Sequence, residues 1–567
     1  MRNVKNLFGM AVMATALVAC SSNDDLTSNG HEGNQTGEAY ASFRINLPTT
    51  SGTRVAGDPT FDGGDKNEYA VKDAALLLFQ KNASGDFVFK ESVDLGNMEP
   101  WTSSETNGIT TTAKLTAKIT KAEVGENKGY YALIVLNNNS ETAPKITYPT
   151  VDQTYADWSQ NEANATANYL KYDNGFFMAN APKYVAGAPE TLVEIKNIYA
   201  SKQQAENSTA TTVYVERGLA KVSLASSSVE HVDIKDGNYA GDKVDITGWT
   251  LDVTNTKTYP VHVTEGLWAD TWKTTATTAA TNDAKMDRFH DTKLKEFPRV
   301  YWGLDPNYSK NFASVADCEG EFKMATKGDF KTDEEAKKPQ YCLENTFDID
   351  HMVQGQTTRV LFSAKYTPAN FADGETFYKF GNSPKLWHEA DVVAQIKAKA
   401  QEVLGEADAN KVTVTLAAEG NDMTKSGVRL VAAANITYGT TALKTEQVDQ
   451  INAKLGFKKA TSTDTAVGLS TYESGVSYYV ARVKHFNELT PWAPGNDTYA
   501  GNNANWLGRY GVLRNNWYEL SVSSVSGPGY PDVPKVNPTD PDDVNDQYIN
   551  VEVKILDWAK RSQSIDL

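Results

Sequence analysis

The sequence predicts an all-β protein built from β-sandwich domains with a few short helices. Apolar and polar residues alternate with a period of two in many segments, which is typical of strands with one buried face. Continuous apolar runs at 74–79 and 131–136 indicate strands in the centre of a sheet. Only the segments 390–404 and 445–455 have the spacing of amphipathic helices, and a glycine follows each. Long strand pairs with few helices favour β-sandwiches.

Composition excludes several classes of protein. The 567 residues allow about two to four domains. A formal net charge of −17 argues against nucleic acid as a partner, because phosphate contacts need clustered Lys and Arg. Three cysteines are too few for a disulfide framework. The sequence has no HExxH, CxxC, GxSxG, P-loop or GxGxxG motif, so we predict neither an enzyme nor a cofactor.

The first 19 residues have the pattern of a bacterial export signal. Arg2 and Lys5 precede an apolar run at 7–18, which is too short to span a bilayer. The sequence LVAC ending at Cys20 resembles the lipobox of bacterial lipoproteins, which implies cleavage before Cys20 and its acylation, with palmitate among the acyl chains. An ordinary secretory signal with a chance cysteine is the alternative. We expect a lipoprotein precursor in the outer membrane.

Composition also suggests where domains and linkers lie. Residues 199–211 are polar, and a strand pattern begins at 213–224, so we place a domain boundary near Ala210. Residues 527–547 are rich in Pro and Asp, which predicts a flexible stretch that isolates the last strand. Four carboxylates within this stretch are candidate calcium ligands, with a solvated linker as the alternative: Asp540, Asp542, Asp543 and Asp546.

The C-terminal half resembles a known family. Residues 510–518 read YGVLRNNWY and are followed by the GPG of 527–529, which is similar to the YGVxRNxxY…GxG signature of fimbrillins. Fimbrillins are the type V pilus subunits of anaerobic Gram-negative bacteria. Residues 300–308 and 341–347 resemble the major subunit of the short, Mfa-type fimbria. The resemblance implies two transthyretin-like β-sandwich domains, here 55–210 and 211–567, and a structural role in an adhesive surface fibre.

The resemblance also implies proteolytic maturation. Family members are cut by an Arg-specific protease, and Arg54 followed by Val55 matches the cut site in position and context. Cleavage would release residues 20–54 as a lipidated propeptide, and with it a strand. The apolar positions of that strand are Ala41, Phe43, Ile45 and Leu47.

The last strand has the same pattern as the strand that would be lost. Its four apolar residues also alternate over seven positions, about 23 Å of strand at ~3.3 Å per residue. We therefore predict that the C-terminal strand of one copy replaces the lost strand of the next, which gives an open head-to-tail filament. An ordinary final strand of its own domain is the alternative. The donor residues are Ile549, Val551, Val553 and Ile555.

These expectations define a set of partners and a final location. The partners are further copies of the chain, anchor and tip fimbrial subunits, the Arg-specific protease, the outer membrane before maturation, and host or bacterial surface receptors. The mature product is expected in an extracellular fimbria on the cell surface. A monomeric glycan-binding surface lipoprotein that keeps residues 20–54, and the anchor subunit of the same fimbria, are the competing interpretations.

Two cysteines remain after the lipidated one. Cys318 and Cys342 are close in sequence, and export would expose them to oxidising or mixed conditions. They are a candidate disulfide pair, and two free buried thiols are the alternative.

Overall fold

The computed structural model describes most of the chain from residue 37 onward. The described residues are 37–48, 66–96, 98, 102–103, 109–139, 144–161, 163–164, 169–171, 175–186, 188–225, 231–264, 289–290, 297–308, 312–347, 351–381, 383–416, 428–459, 467–485, 508–542 and 549–557. Residues Glu38–Leu567 form one compact unit, to which all the elements below belong.

The first part of the chain contributes twelve strands to the described structure. They are β1 (Ala39–Pro48), β2 (Ala74–Lys81), β3 (Phe87–Gly96), β4 (Thr102–Ser103), β5 (Ile109–Ile119), β6 (Gly125–Leu136), β7 (Ala163–Asn164), β8 (Met178–Asn180), β9 (Lys183–Val185), β10 (Ala188–Glu190), β11 (Val193–Ile198) and β12 (Thr211–Arg217). Eight of them form one continuous sheet in the order β3-β2-β6-β8-β12-β1-β5-β4, and β11 adds to β6. Inward side chains from separate strands of this sheet, such as Phe43 of β1, Leu76 of β2 and Ile198 of β11, share one apolar core.

The rest of the chain contributes nineteen more strands to the described structure. They are β13 (Leu219–Leu224), β14 (His231–Asp233), β15 (Lys243–Asp252), β16 (Thr254–Asn255), β17 (Lys257–Thr258), β18 (Phe322–Lys323), β19 (Lys331–Thr332), β20 (Gln340–Leu343), β21 (Arg359–Thr367), β22 (Phe377–Phe380), β23 (Leu386–Trp387), β24 (Val412–Val414), β25 (Val428–Arg429), β26 (Ile436–Tyr438), β27 (Thr441–Ala442), β28 (Leu469–Tyr472), β29 (Val476–Arg482), β30 (Asn516–Val525) and β31 (Ile549–Asp557).

Two larger sheets in this part share a core. One has the order β20-β13-β30-β31, and the other has the order β14-β15-β21-β29 with β19 added to β15. Val222 and Tyr518 from the first sheet pack in one cluster with Trp249 and Phe362 from the second. Two sheets that face each other across a common apolar core form a β-sandwich. The predicted all-β class is thereby confirmed.

Few α-helices accompany these strands in the described residues. They are α1 (Tyr155–Ser159), α2 (Lys202–Asn207), α3 (Val315–Glu321), α4 (Asp333–Ala336), α5 (Glu389–Leu404) and α6 (Thr445–Lys454). The two predicted amphipathic helices are confirmed as α5 and α6. Gly405, in the left-handed conformation at φ 65°, ends α5, and Ile396 and Ile451 bury both helices in one small core. No described helix is long and apolar enough to cross a membrane.

One predicted strand is divided in two. The segment 213–224 contains most of β12 and all of β13, which lie in different sheets on either side of Gly218. Sheet membership therefore changes at Gly218, eight residues after the predicted boundary near Ala210. The local apolar pattern continues through both strands, so it does not reveal the change of sheet.

Candidate functional site

Strand β1 lies inside its sheet and not at an edge. It pairs in parallel with β12, where Phe43 faces Thr211, and antiparallel with β5, where Phe43 faces Leu115. Five inward side chains are fully buried at 0% exposure: Ala39, Ala41, Phe43, Ile45 and Leu47. The sequence predicted this alternation for residues 41–47. The structure adds Ala39 and places all five residues in the main apolar core of the first sheet.

The outward face of β1 is partly buried under helix α2. The Ser42 hydroxyl donates to the carbonyl oxygen of Ala205 at 2.8 Å and lies 2.7 Å from the Thr116 hydroxyl. Because Ser42 has one hydroxyl hydrogen, Thr116 must donate to it. Asn46 is 2% exposed and accepts from the Thr112 hydroxyl at 2.7 Å. Between these two sites, Arg44 is exposed and faces Lys114 across the pair.

Removal of β1 would leave an open groove in this sheet. β12 and β5 would each expose a row of unpaired backbone groups, and the core would lose five side chains. Burial of a large apolar side chain is worth about 1.5–3 kcal/mol, and an exposed strand edge pairs readily with another chain. Only an extended segment with alternating apolar residues can satisfy both the backbone and the core of such a groove.

Strand β31 lies at the edge of its own sheet. It pairs antiparallel with β30 from Ile549 opposite Val525 to Asp557 opposite Asn516, with an irregularity between Val522 and Ser524. In the single chain, therefore, β31 is the final strand of its own sheet, which is the alternative to the donor role. Among the described strands β31 has only β30 as its paired neighbour, whereas β1 has two.

The segment before β31 is packed, so the prediction of a flexible stretch over 527–547 is wrong for its described part. Residues 527–542 cross the second part of the molecule as a strap, the name used below. The strap backbone is held by buried side chains: Tyr479 donates to Gly527 O at 2.9 Å and Tyr472 to Gly529 O at 3.0 Å. Arg482 donates to Asp542 O at 2.7 Å.

Further bonds fix the middle of the strap. Arg359, which is 2% exposed and pairs with Asp252 at 2.7 Å, also donates to Pro534 O at 2.5 Å. Tyr530 and Tyr478 exchange backbone hydrogen bonds of 2.7 and 2.8 Å. A Cβ at Gly529, where φ is +60°, would lie 2.5 Å from the carbonyl oxygen of Tyr478. This close approach accounts for the second glycine of the GPG segment.

The YGVLRNNWY segment lies at a buried charged junction between the two main groups of sheets. Arg514 forms an ion pair with Glu344, and Arg299 pairs with Glu216 of β12 at 2.7 Å. His262 lies between the two carboxylates, with Nδ1 3.1 Å from Glu216 Oε1 and Nε2 2.7 Å from Glu344 Oε1. We name these five residues the charged junction. Each of their side chains is at most 5% exposed.

The opposite charges of the charged junction shift the pKa values of Glu344 and His262 toward their charged forms. Burial alone raises the pKa of Glu344, but Arg514 and His262 outweigh it and lower that pKa to about 2. Burial lowers the pKa of His262, but the attraction of Glu344 and Glu216 outweighs burial and raises it above the ordinary value. With a carboxylate at each ring nitrogen, the imidazole is held as the imidazolium ion. The junction is thus a structural ion cluster.

The asparagine after Arg514 connects the same two groups of sheets. Asn515 takes a left-handed conformation at φ 59°, and its backbone N–H donates to Leu219 O at 2.7 Å. Its side-chain oxygen accepts from Arg217 Nη1 at 3.0 Å. Arg217 ends β12 and Leu219 begins β13, so the RN pair of the signature fixes the point where the chain passes between sheets.

The structure also describes the two cysteines that were the candidate disulfide pair. Cys318 and Cys342 are free buried thiols in two separate apolar clusters, so the candidate disulfide is not formed and the free-thiol alternative holds. Burial raises the pKa of Cys342 to about 12, which leaves its thiol protonated and unreactive.

The described residues contain no group of three His, Cys, Asp or Glu that could hold a metal ion. Asp542 is 1% exposed and accepts from the Thr357 hydroxyl.

Other predicted sites lie outside the described residues. These are the lipidation site Cys20, the cleavage site Arg54 with Val55, and the acidic residues Asp543 and Asp546. Sequence reasoning gave no role to four residues of the junction: Glu216, His262, Arg299 and Glu344. Glu344 lies in the segment 341–347 and Arg299 directly precedes the segment 300–308, but the resemblance of these segments did not point to single residues. Arg514 was marked through the signature.

Comparison with known proteins supports the C-terminal resemblance. Residues 470–564 match the family model described as "Major fimbrial subunit protein type IV, Fimbrillin, C-terminal". This confirms the predicted resemblance to fimbrillins over that part of the chain, which includes β29, β30, the strap and β31. Among curated proteins, none matches the sequence.

Several solved structures, among them three from two bacteria, are similar to this chain. A putative cell adhesion protein of Parabacteroides distasonis is 10% identical, with 92% of this chain and 98% of that chain covered at a TM-score of 0.37. A fimbrilin of Porphyromonas gingivalis W83 is 12% identical, with 92% and 99% covered at a TM-score of 0.37. A fimbrial assembly protein of Parabacteroides distasonis covers 59% of this chain at a TM-score of 0.27.

Proposed function

We propose that this protein is a structural subunit of a surface fimbria. It is exported as an outer-membrane lipoprotein acylated at Cys20, and an Arg-specific protease cuts it after Arg54. The cut releases residues 20–54, and β1 leaves with them. Residues 549–555 of the next copy then fill the groove, so the copies join head to tail.

The observation that carries the proposal is the contrast between β1 and β31. β1 is buried, has two paired neighbours, and lies in the segment that the cut would release. β31 has one described paired neighbour and an alternating sequence that matches the groove. The fimbrillin C-terminal match covers β31, which supports assembly as its purpose. Anchor, tip, receptor and protease partners follow from the same proposal.

The packed strap refines the proposed release of β31. Because the strap ends at Asp542 in buried contacts, the strap stays in place when β31 moves to the next subunit. The donor therefore reaches the next subunit from a fixed point on its own body. Because the donor strand starts at a fixed point, one relative arrangement of neighbouring subunits is favoured over many.

Truncation after Gln547 tests the proposal. The shortened precursor keeps the strap and the core of its own domains, so it should fold and be cut after Arg54 but should not polymerise. A matched precursor that ends after Asp557 keeps β31 and should still polymerise. Fibres from the chain that ends at Gln547 would contradict the donor role.

A further inference from the structure

We propose that the donor strand enters the groove in one register only, with Ile549, Val551, Val553 and Ile555 at the positions of Ala41, Phe43, Ile45 and Leu47. This inference rests on the proposed function and specifies its interface. The donor runs in the direction of β1, because that direction restores both the parallel pairing with β12 and the antiparallel pairing with β5.

Two registers keep all four donor apolar residues facing the core. β1 offers five inward positions, at 39, 41, 43, 45 and 47, so the donor residues occupy either the last four or the first four. We call these the late and the early register. In both registers a valine takes the place of Phe43 and a larger residue takes the place of Ala41. These four apolar residues alone therefore do not select between the registers, and the outward face and the far end of the groove do.

The Ser42 site selects the late register. An occupant must donate a hydrogen bond to Ala205 O and accept one from Thr116, as Ser42 does at 4% exposure. The late register places Asn550 there, whose amide both donates and accepts. The early register places Glu552 there, and its carboxylate has no hydrogen to donate. Ala205 O would then face a buried negative charge, which is strongly unfavourable.

The charges across the pair select the same register. Arg44 faces Lys114, so the intact β1 sets two positive charges opposite each other. The late register places Glu552 opposite Lys114 and turns this repulsion into an attraction. The early register places Lys554 there and keeps the repulsion. Opposite charges in facing positions of antiparallel strands stabilise the pair, and like charges destabilise it.

The far end of the groove gives a third reason. Leu47 is at 0% exposure in the core, and the early register would put Asp557 in its place. An unpaired carboxylate in an apolar core is costly. The late register puts Ile555 there. Its own cost is Lys554 at the 2%-exposed Asn46 site, where the ammonium can donate to the Thr112 hydroxyl.

Zero-length crosslinking of wild-type fibres tests the register without a mutation. A carbodiimide joins a lysine amine to a carboxylate in direct contact, and mass spectrometry identifies the joined peptides. We expect a link between Lys114 of one subunit and Glu552 of the next in fibres, and no such link in the uncut monomer. In the monomer Glu552 faces Ser521 within its own sheet. Wild-type fibres that lack the Lys114–Glu552 link would overturn the late register.

Paired cysteine variants give an independent readout with a matched control. Fibres of the double variant Lys114→Cys with Glu552→Cys should form a covalent ladder under oxidation that survives boiling without reductant. Fibres of the control, Lys114→Cys with Lys554→Cys, should give the monomer band only. The native Cys318 and Cys342 are buried and give no background ladder.

The outcomes separate the register from the function it rests on. A ladder only in the control pair, or in neither pair, overturns the late register. If fibres also form from the chain ending at Gln547, the donor role itself is wrong. If those fibres fail to form while the control pair alone crosslinks, the proposed function stands and the register is the early one.

Discussion

At the residue scale, the fimbrillin signature is explained by buried polar contacts. Arg514 completes the charged junction, and Asn515 holds the point where the chain leaves β12 for β13. The sequence marked these two residues but could not show their partners. Glu216, His262 and Glu344 are distant in sequence from Arg514 and from one another, and only the fold brings them together.

The junction predicts a large difference between two chemically identical substitutions. Glu344→Gln removes one of the two carboxylates of the charged junction. Glu216 must then balance three buried positive side chains, so unfolding should become easier by about 3–5 kcal/mol. Glu334→Gln breaks an exposed pair with Lys337 and should cost at most about 1 kcal/mol. Denaturant unfolding of the monomeric precursor measures both. Equal effects would contradict the structural role of the junction.

The same cluster predicts a pH window. The raised pKa of His262 makes its contribution complete below about pH 6.5, and the contribution is lost as the pH rises through that raised value. The pKa of Glu344 is lowered to about 2, so its contribution is present above about pH 4.5 and is lost as the pH falls toward 2. The junction should therefore stabilise the fold most between about pH 4.5 and 6.5.

Comparison with a His262→Gln variant isolates the histidine. Burial raises the pKa of Asp305 to about 8, so this carboxyl also weakens the fold as the pH rises, equally in both proteins. The melting temperature of the wild type should fall more between pH 6 and pH 9 than that of the variant. Parallel curves would show that His262 is not held as an imidazolium ion.

At the scale of elements, local pattern predicted strands and helices well. β1, β31, α5 and α6 lie where apolar periodicity placed them. β1, α5 and α6 each bury one face in an apolar core. The sequence analysis predicted that the strap is flexible, because its Pro and Asp content is typical of linkers. What holds it is non-local: buried tyrosines and arginines from β21, β28 and β29 donate to its backbone carbonyls.

Hydrogen exchange tests the strap directly. The amide of Tyr530 donates to Tyr478 O at 2.7 Å, and that of Asp542 donates to Met352 O at 3.2 Å. A peptide spanning 528–542 should therefore exchange slowly, at a rate close to that of a peptide from β29. Exchange as fast as in a free peptide would restore the flexible-linker interpretation.

At the scale of the whole molecule, the proposed function assigns the control of assembly to β1. As long as β1 occupies the groove, a second copy has nothing to fill, so the precursor should remain a monomer. In this proposal cleavage links maturation to assembly, since one cut would create the acceptor on every subunit. The alternating patterns at 41–47 and 549–555 already suggested that one strand could replace the other. Only the sheet order shows that β1 has two paired neighbours.

The most direct measurement is the N-terminal sequence and intact mass of the protein recovered from the cell surface. Our proposal predicts a chain that begins at Val55, carries no acyl mass, and runs as an SDS-resistant ladder until it is boiled. A monomer that begins at acylated Cys20 would contradict the proposal, and it would favour an anchor subunit or a glycan-binding lipoprotein.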